Sequence, residues 1–127
     1  MQVISIVDDD ESVRESTIDL FKSIGLTAVA YPSAADFLNS NRLRSTSCLF
    51  ADVQMSGMIG FELHNSLVGS GNIIPTILIT ACPDHRDQSR ARQAGVIGYL
   101  AKPLNDNQLL GCVFSALCPG REDERES

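Results

Sequence analysis

The 127-residue sequence predicts a single α/β domain, a parallel sheet with helices on both faces. Three observations predict it. Short apolar runs alternate five times with stretches of helical periodicity. The runs are too short for buried helices and suit strands covered on both faces. Their ends carry acids, a hydroxyl and an amine, and ligands of such sheets bind at the carboxyl ends of the strands, near the topological switch point.

Val3-Ile4-Ser5-Ile6-Val7 reads as the first strand and runs straight into Asp8, Asp9 and Asp10. Adjacent carboxylates repel: at about 4 Å each contact costs about 1 kcal/mol in water and about 4 kcal/mol at an effective dielectric of 20. A cation would relieve this, and oxygen ligands in low number favour magnesium with water completing the shell. The same acids also suit the N-cap and first turn of a helix. On this stretch alone both readings stand.

A helix follows, with Val13, Thr17, Leu20, Phe21 and Ile24 on one stripe and Arg14, Glu15, Asp19 and Lys22 off it. Gly25 ends it as a left-handed glycine would. Leu26 to Tyr31 reads as the second strand. Pro32-Ser33 breaks it, and Ser33 with Asp36 resembles a capping box opening a short helix that carries Ala34, Phe37 and Leu38. Asn39 to Thr46 is polar loop. Ser47 to Asp52 repeats the opening design, an apolar strand ending in a carboxylate. Gln54 to Gly60 is a glycine-punctuated loop, and a modest helix runs from about Gly60 to Val68 before the turn cluster Gly69-Ser70-Gly71-Asn72.

Ile73 to Ile79 is the most apolar strand, with Pro75 near its start and Thr80 at its end. The segment Asp84 to Ala94 is polar, with only alanines on its apolar side; as a helix it would bury little and dock weakly. Gly95 closes it. Val96 to Ala101 is the fifth strand, followed by Lys102-Pro103. Asn105 caps a last helix whose stripe is Leu109, Leu110, Val113, Phe114 and Leu117. The domain is expected to occupy 1–118, with 119–127 a charged, disordered tail.

Composition narrows the function. Apolar residues make up 43%, enough for a core, and the net charge of -6 argues against direct contact with nucleic acid, which wants a basic face. There is no apolar run of about 18 residues that would span a membrane, and no basic segment before the first strand that would suggest a signal peptide. Cys48, Cys82, Cys112 and Cys118 form no C-x-x-C pair, and no His stands at ligand spacing from them. Reduced cytoplasmic thiols are expected, not zinc or a disulfide framework.

The chemistry collects on Asp8, Asp9 and Asp10 after strand one, Asp52 after strand three, Thr80 after strand four and Lys102 after strand five. With this set in place, several stretches form an ordered series: Val7-Asp8-Asp9-Asp10, Asp52 with Met55 to Leu63, Ile79-Thr80-Ala81, Ala94-Gly95, and Gly98 to Pro103. The sequence resembles the response-regulator receiver domains of bacterial two-component signalling, from residue 2 to about 117. The resemblance implies a flavodoxin-like, doubly wound five-stranded sheet of order 2-1-3-4-5 with five helices. The stretch Ala30 to Leu38 is similar to the nitrogen-fixation-type transcriptional regulators, whose receiver precedes a helix-turn-helix domain; no such domain is present in these 127 residues.

By that resemblance Asp52 accepts a phosphoryl group from a sensor histidine kinase. Asp8 and Asp9 would hold Mg2+, with Asp52 and the backbone carbonyl of Gln54 completing the protein ligands. Lys102 would offset charge on a phosphoryl oxygen and Thr80 would donate its hydroxyl to another. Tyr99 matches an aromatic switch position that turns inward with Thr80. The implied outcome is a changed partner surface across the fourth helix, fifth strand and fifth helix, able to dimerise and to control transcription. Lys102-Pro103 resembles the family's cis bond. Asp10 is read as the helix cap and His64 as a partly buried structural histidine. Ser56 replaces a customary proline, and Cys82 is unusual beside the site.

Other classes fit less well. A receiver that binds partners without phosphorylation would not need the complete set Asp8, Asp9, Asp52, Thr80 and Lys102. A magnesium-dependent phosphatase would want D-x-D after strand three, where Asp52-Val53-Gln54 stands. A flavin or dinucleotide domain would want a glycine-rich phosphate loop after strand one. No metabolic activity is expected beyond autophosphorylation and autodephosphorylation.

Overall fold

The computed structural model describes residues 3–40, 43, 45–53, 60–72, 74–81, 84–102 and 106–117. Strands and helices alternate: β1 (Val3–Val7), α1 (Glu11–Ser23), β2 (Thr27–Tyr31), α2 (Ala34–Leu38), β3 (Thr46–Asp52), α3 (Gly60–Gly69), β4 (Thr76–Thr80), α4 (His85–Gln93), β5 (Gly98–Ala101) and α5 (Asp106–Leu117). The strands form one parallel sheet in the order β2-β1-β3-β4-β5, as expected. The expected cap Asn105, the Lys102-Pro103 bond, the Gln54–Ile59 loop, Cys82 and the tail lie outside the described residues.

The apolar runs are continuous because both faces of each central strand are covered. Ile4, Ile6, Cys48, Phe50, Ile77 and Ile79 face α1 and α5 and pack with Phe21, Leu109 and Val113. Val7, Leu49, Ala51, Val53 and Leu78 face the other way, toward α2, α3 and α4, and pack with Phe37, Phe61, Leu63 and Leu67. Edge-to-face rings seat the two layers: Phe21 on Phe50 and Tyr31 on Phe37, each pair with centroids 5.3 Å apart. One polar pair interrupts β1, where the Ser5 hydroxyl shares a 2.7 Å hydrogen bond with Thr46.

Helix ends follow the sequence signals. The Asp10 carboxylate accepts from the backbone N–H of Ser12 at 2.9 Å and of Val13 at 3.3 Å, capping α1. Ser33 caps α2 by accepting from Asp36 N–H at 3.1 Å. Gly25, at φ +83°, closes α1: its N–H donates to Lys22 O and the next N–H, of Leu26, reaches back to Phe21 O. Gly95 at φ +87° closes α4 in the same manner.

Four expectations need correction. β4 begins at Thr76, later than the apolar run, because Pro75 has no N–H to donate; its carbonyl still accepts from Leu49 N–H at 2.9 Å. β5 begins at Gly98, not Val96. Ile24 is 38% exposed, because it is the C-cap of α1 and has left the helical screw; Ile18 fills out the buried stripe instead. Phe114 is 45% exposed, since Leu109, Val113 and Leu117 already set the inner stripe of α5 and position 114 sits about 100° round from Val113. α4 matches its expectation of shallow burial, with Ala91 its one buried residue. His64 is buried on α3, 6% exposed.

Candidate functional site

In-register parallel pairing brings the strand ends level. Val7 pairs with Ala51, Asp52 with Ile79, and Thr80 with Ala101. Backbone bonds carry the ladder one step further: Asp8 N–H donates to Tyr31 O at 3.2 Å, Val53 N–H to Ile79 O at 2.8 Å and Lys102 N–H to Thr80 O at 2.8 Å. Asp8, Asp52, Thr80 and Lys102 therefore gather at one edge of the sheet by strand length and register.

The Lys102 ammonium donates to Asp52 Oδ2 at 2.9 Å and to Asp8 Oδ2 at 3.1 Å. The Asp8 side chain is wholly buried, that of Asp52 is 8% exposed and that of Lys102 is 21% exposed. Asp8 Oδ1 also accepts from Asp10 N–H at 2.9 Å. Burial pushes the Asp8 carboxyl above the usual carboxylate range and the charge of Asp52 pushes the same way; the Asp10 N–H and Lys102 oppose without cancelling. For Lys102, burial alone would lower the pKa, but its bonds to Asp52 and Asp8 outweigh that and the net movement is upward. The lysine is thus held as a cation between two carboxylates.

Asp8, Asp9 and Asp52 each offer a carboxylate oxygen, and these oxygens lie within 4.8 Å of one another. Asp10 is not in that group; its carboxylate is spent on the helix cap. The donor set is oxygen-only, and one member is a buried acid that lacks enough positive charge to bring it back to its ordinary pKa. Both features fit a small divalent cation such as Mg2+, with water supplying the remaining ligands. Asp8, Asp9 and Asp52 would hold it. The fourth expected ligand, the Gln54 carbonyl, lies outside the described residues.

Thr80 is 1% exposed at the end of β4, beside the Asp52–Lys102 pair in the ladder. Tyr99 is on β5, where its hydroxyl accepts from Asp84 N–H at 3.4 Å, at the start of α4. Burial raises its pKa, and the nearby acids Asp87 and Asp84 add to that, against the Asp84 N–H. Its ring is half-buried.

Two residues at the site were not singled out from sequence. Arg14 reaches back from α1 to donate to Asp8 O at 2.8 Å, fixing the end of β1. Its only signal was a basic residue one turn after an acidic strand end. Gly60 opens α3 directly against Asp52: a Cβ there would stand 2.7 Å from Asp52 O and 3.0 Å from Leu78 Cδ2. The sequence marked Gly60 as loop punctuation, but the demand for it is the close approach of the start of α3 to the end of β3 and to Leu78 of β4.

Residues 4–114 match the family described as "Response regulator receiver domain". Nodulation protein W of Bradyrhizobium diazoefficiens is 38% identical over 114 residues, 90% of this chain and 50% of its own length. Transcriptional regulatory protein FixJ of Azorhizobium caulinodans is 32% identical over 123 residues, 97% of this chain and 58% of its own. Among solved structures, response regulator StyR superposes with a TM-score of 0.86 at 35% identity, covering 98% of this chain and 64% of that one. The chain spans about half the length of the curated relatives it matches.

Proposed function

The chain belongs to the response regulator receiver domain family, and we propose that it works as a phosphorylation-dependent switch whose phosphoacceptor is Asp52. One observation supports this most: Lys102, Asp8 and Asp52 are joined by 2.9 and 3.1 Å contacts at the ends of three different strands. Holding two buried acids and an amine together is costly, and a role in the transfer chemistry accounts for keeping that cost.

The donor is a phosphorylated histidine of a sensor kinase. An Asp52 carboxylate oxygen forms the new O–P bond as the P–N bond breaks, and the bonding pair leaves with the imidazole. In such a transfer the protein supplies position and charge. Lys102 already contacts Asp52 and follows the charge onto a phosphoryl oxygen. Thr80 supplies a hydroxyl to another. Asp8, Asp9 and Asp52 would hold Mg2+, which when bound would add positive charge against the phosphoryl oxygens.

The response follows from where Thr80 and Tyr99 stand. Movement of Thr80 toward the modified Asp52 vacates space for the Tyr99 ring, and Tyr99 already touches the start of α4. The surface formed by α4, β5 and α5 then changes and dimerises or takes a partner. The transcriptional relatives support a role in controlling transcription in the cytoplasm through a further domain of the same or another chain.

The test is intact mass after incubation with acetyl phosphate, with and without Mg2+, for wild type and Asp52→Asn. A gain of one phosphoryl group that needs both Mg2+ and Asp52 is expected. No gain under any condition leaves a receiver that binds partners unmodified.

A further inference from the structure

α4 is tied down by remarkably little for a helix beside the site. Its one buried side chain is Ala91. A solvent-open cavity of about 270 Å³ lies between it and β5, lined in part by Ala91, Arg92, Val96, Gly98 and Tyr99. At its start the Asp84 N–H reaches Tyr99 at a long 3.4 Å. A stronger contact lies further along: the guanidinium carbon of Arg90 stands 4.4 Å from the centroid of the Phe61 ring. Arg90 is exposed while Phe61 is 2% exposed, so the cation covers the face of a ring anchored in the core.

Phe61 follows Gly60, whose Cα is seated so tightly on Asp52 that a Cβ would meet the Asp52 carbonyl at 2.7 Å. The ring is therefore registered on the strand end that carries Asp52. From these contacts we infer that Arg90 is a positioning residue, a clasp that holds α4 against α3 and makes its release a cost of switching. Without the clasp, α4 has few contacts to keep it over the cavity. This rests on the reading of Asp52 as phosphoacceptor. A cation–π contact at a partly exposed site is strong enough to shift a two-state equilibrium by about two- to fivefold.

The experiment compares wild type, Arg90→Met, Arg90→Lys and Arg92→Met. Methionine keeps the length and helix propensity and removes the cation. Amide exchange is measured over 84–101 in the unmodified chain, and phosphoryl gain from acetyl phosphate with Mg2+ is timed by intact mass. Arg90→Met is expected to exchange about two- to fivefold faster across α4 and to gain phosphoryl faster by a similar factor. Arg92→Met, which loses the same charge from the same helix at a residue that lines the cavity, controls for both and stays at the wild-type values, and Arg90→Lys recovers part of the difference. Exchange in Arg90→Met equal to wild type or to Arg92→Met overturns the clasp. Faster exchange with unchanged phosphorylation overturns its link to switching. If no variant gains a phosphoryl group, the phosphoacceptor reading falls, and the link to switching with it, while the exchange difference still reports the clasp.

Discussion

Lys102 bonds Asp8 and Asp52 at once, at 3.1 and 2.9 Å, and so sets the charge balance of the whole strand-end cluster. In Lys102→Met, without Mg2+, the two acids face each other without the ammonium that bridges them. The expected loss of stability at neutral pH is about 1–3 kcal/mol, below the range for fully buried pairs because the lysine is partly exposed. Asp8 already has a raised folded pKa, and losing Lys102 raises it further. A raised folded acid disfavours the folded state once ionised, so the deficit shrinks as the pH falls through that value toward the ordinary 3.8. Urea midpoints across acid and neutral pH check this; a deficit that does not change with pH contradicts it.

Asp10 and Asp9 are adjacent acids with separable roles. Asp10→Ala removes the α1 cap and is expected to cost about 1 kcal/mol of stability with Mg2+ affinity preserved. Asp9→Asn is expected to weaken Mg2+ binding by tenfold or more, on the order of one charged ligand. Thermal melts and Mg2+ titrations of both variants separate the roles, and a large loss of Mg2+ affinity in Asp10→Ala would falsify the cap assignment.

Gly60→Ala forces a methyl into the Asp52 carbonyl and Leu78. Backbone cannot yield as a flexible side chain can, so a loss of about 1–3 kcal/mol is expected, with slower phosphoryl gain at Asp52. Gly25→Ala is the comparison: its added Cβ meets nothing, but φ +83° is strained for alanine. It is expected to cost about 1 kcal/mol and leave the kinetics alone.

Cys48 lies in the core under α5. Burial, with Cys112 adding, pushes its thiol from 9.0 up to about 12. The folded state thus keeps a proton the unfolded chain gives up. That contribution to stability is full below pH 9.0 and is lost as pH rises toward 12. Cys48→Val removes it, so wild type should lose stability more steeply than the variant above pH 9, by at most about 1.4 kcal/mol per pH unit. Parallel slopes in alkaline urea melts would contradict the burial account. Alkylation of Cys48 in the native state should also be slow.

The order of strands and helices was legible because each element carries a local cause: β-branched runs, an acid at the α1 cap, Gly25 and Gly95 where the chain must turn left-handed. So were Asp8, Asp52, Thr80 and Lys102 as strand-end residues, since a parallel sheet aligns those ends whatever lies between. The stripe errors at Ile24 and Phe114 arose where a one-residue rotation of a helix decides exposure, which periodicity resolves poorly. The start of β4 was missed because Pro75 removes a donor without making the run less apolar. Asp9 and Asp10 carry no local signal that separates them, as both are acids between a strand and a helix; the family resemblance assigned Asp10 to the cap and Asp9 to the metal, and the backbone turn places them so. The Arg90–Phe61 contact and the approach of Gly60 to Leu78 join segments far apart in the chain, and the Arg14 bond to Asp8 and the seat of Gly60 on Asp52 span turns whose course the packing sets. Only the packed tertiary structure decides such contacts, because no local preference of either partner encodes the distance between them.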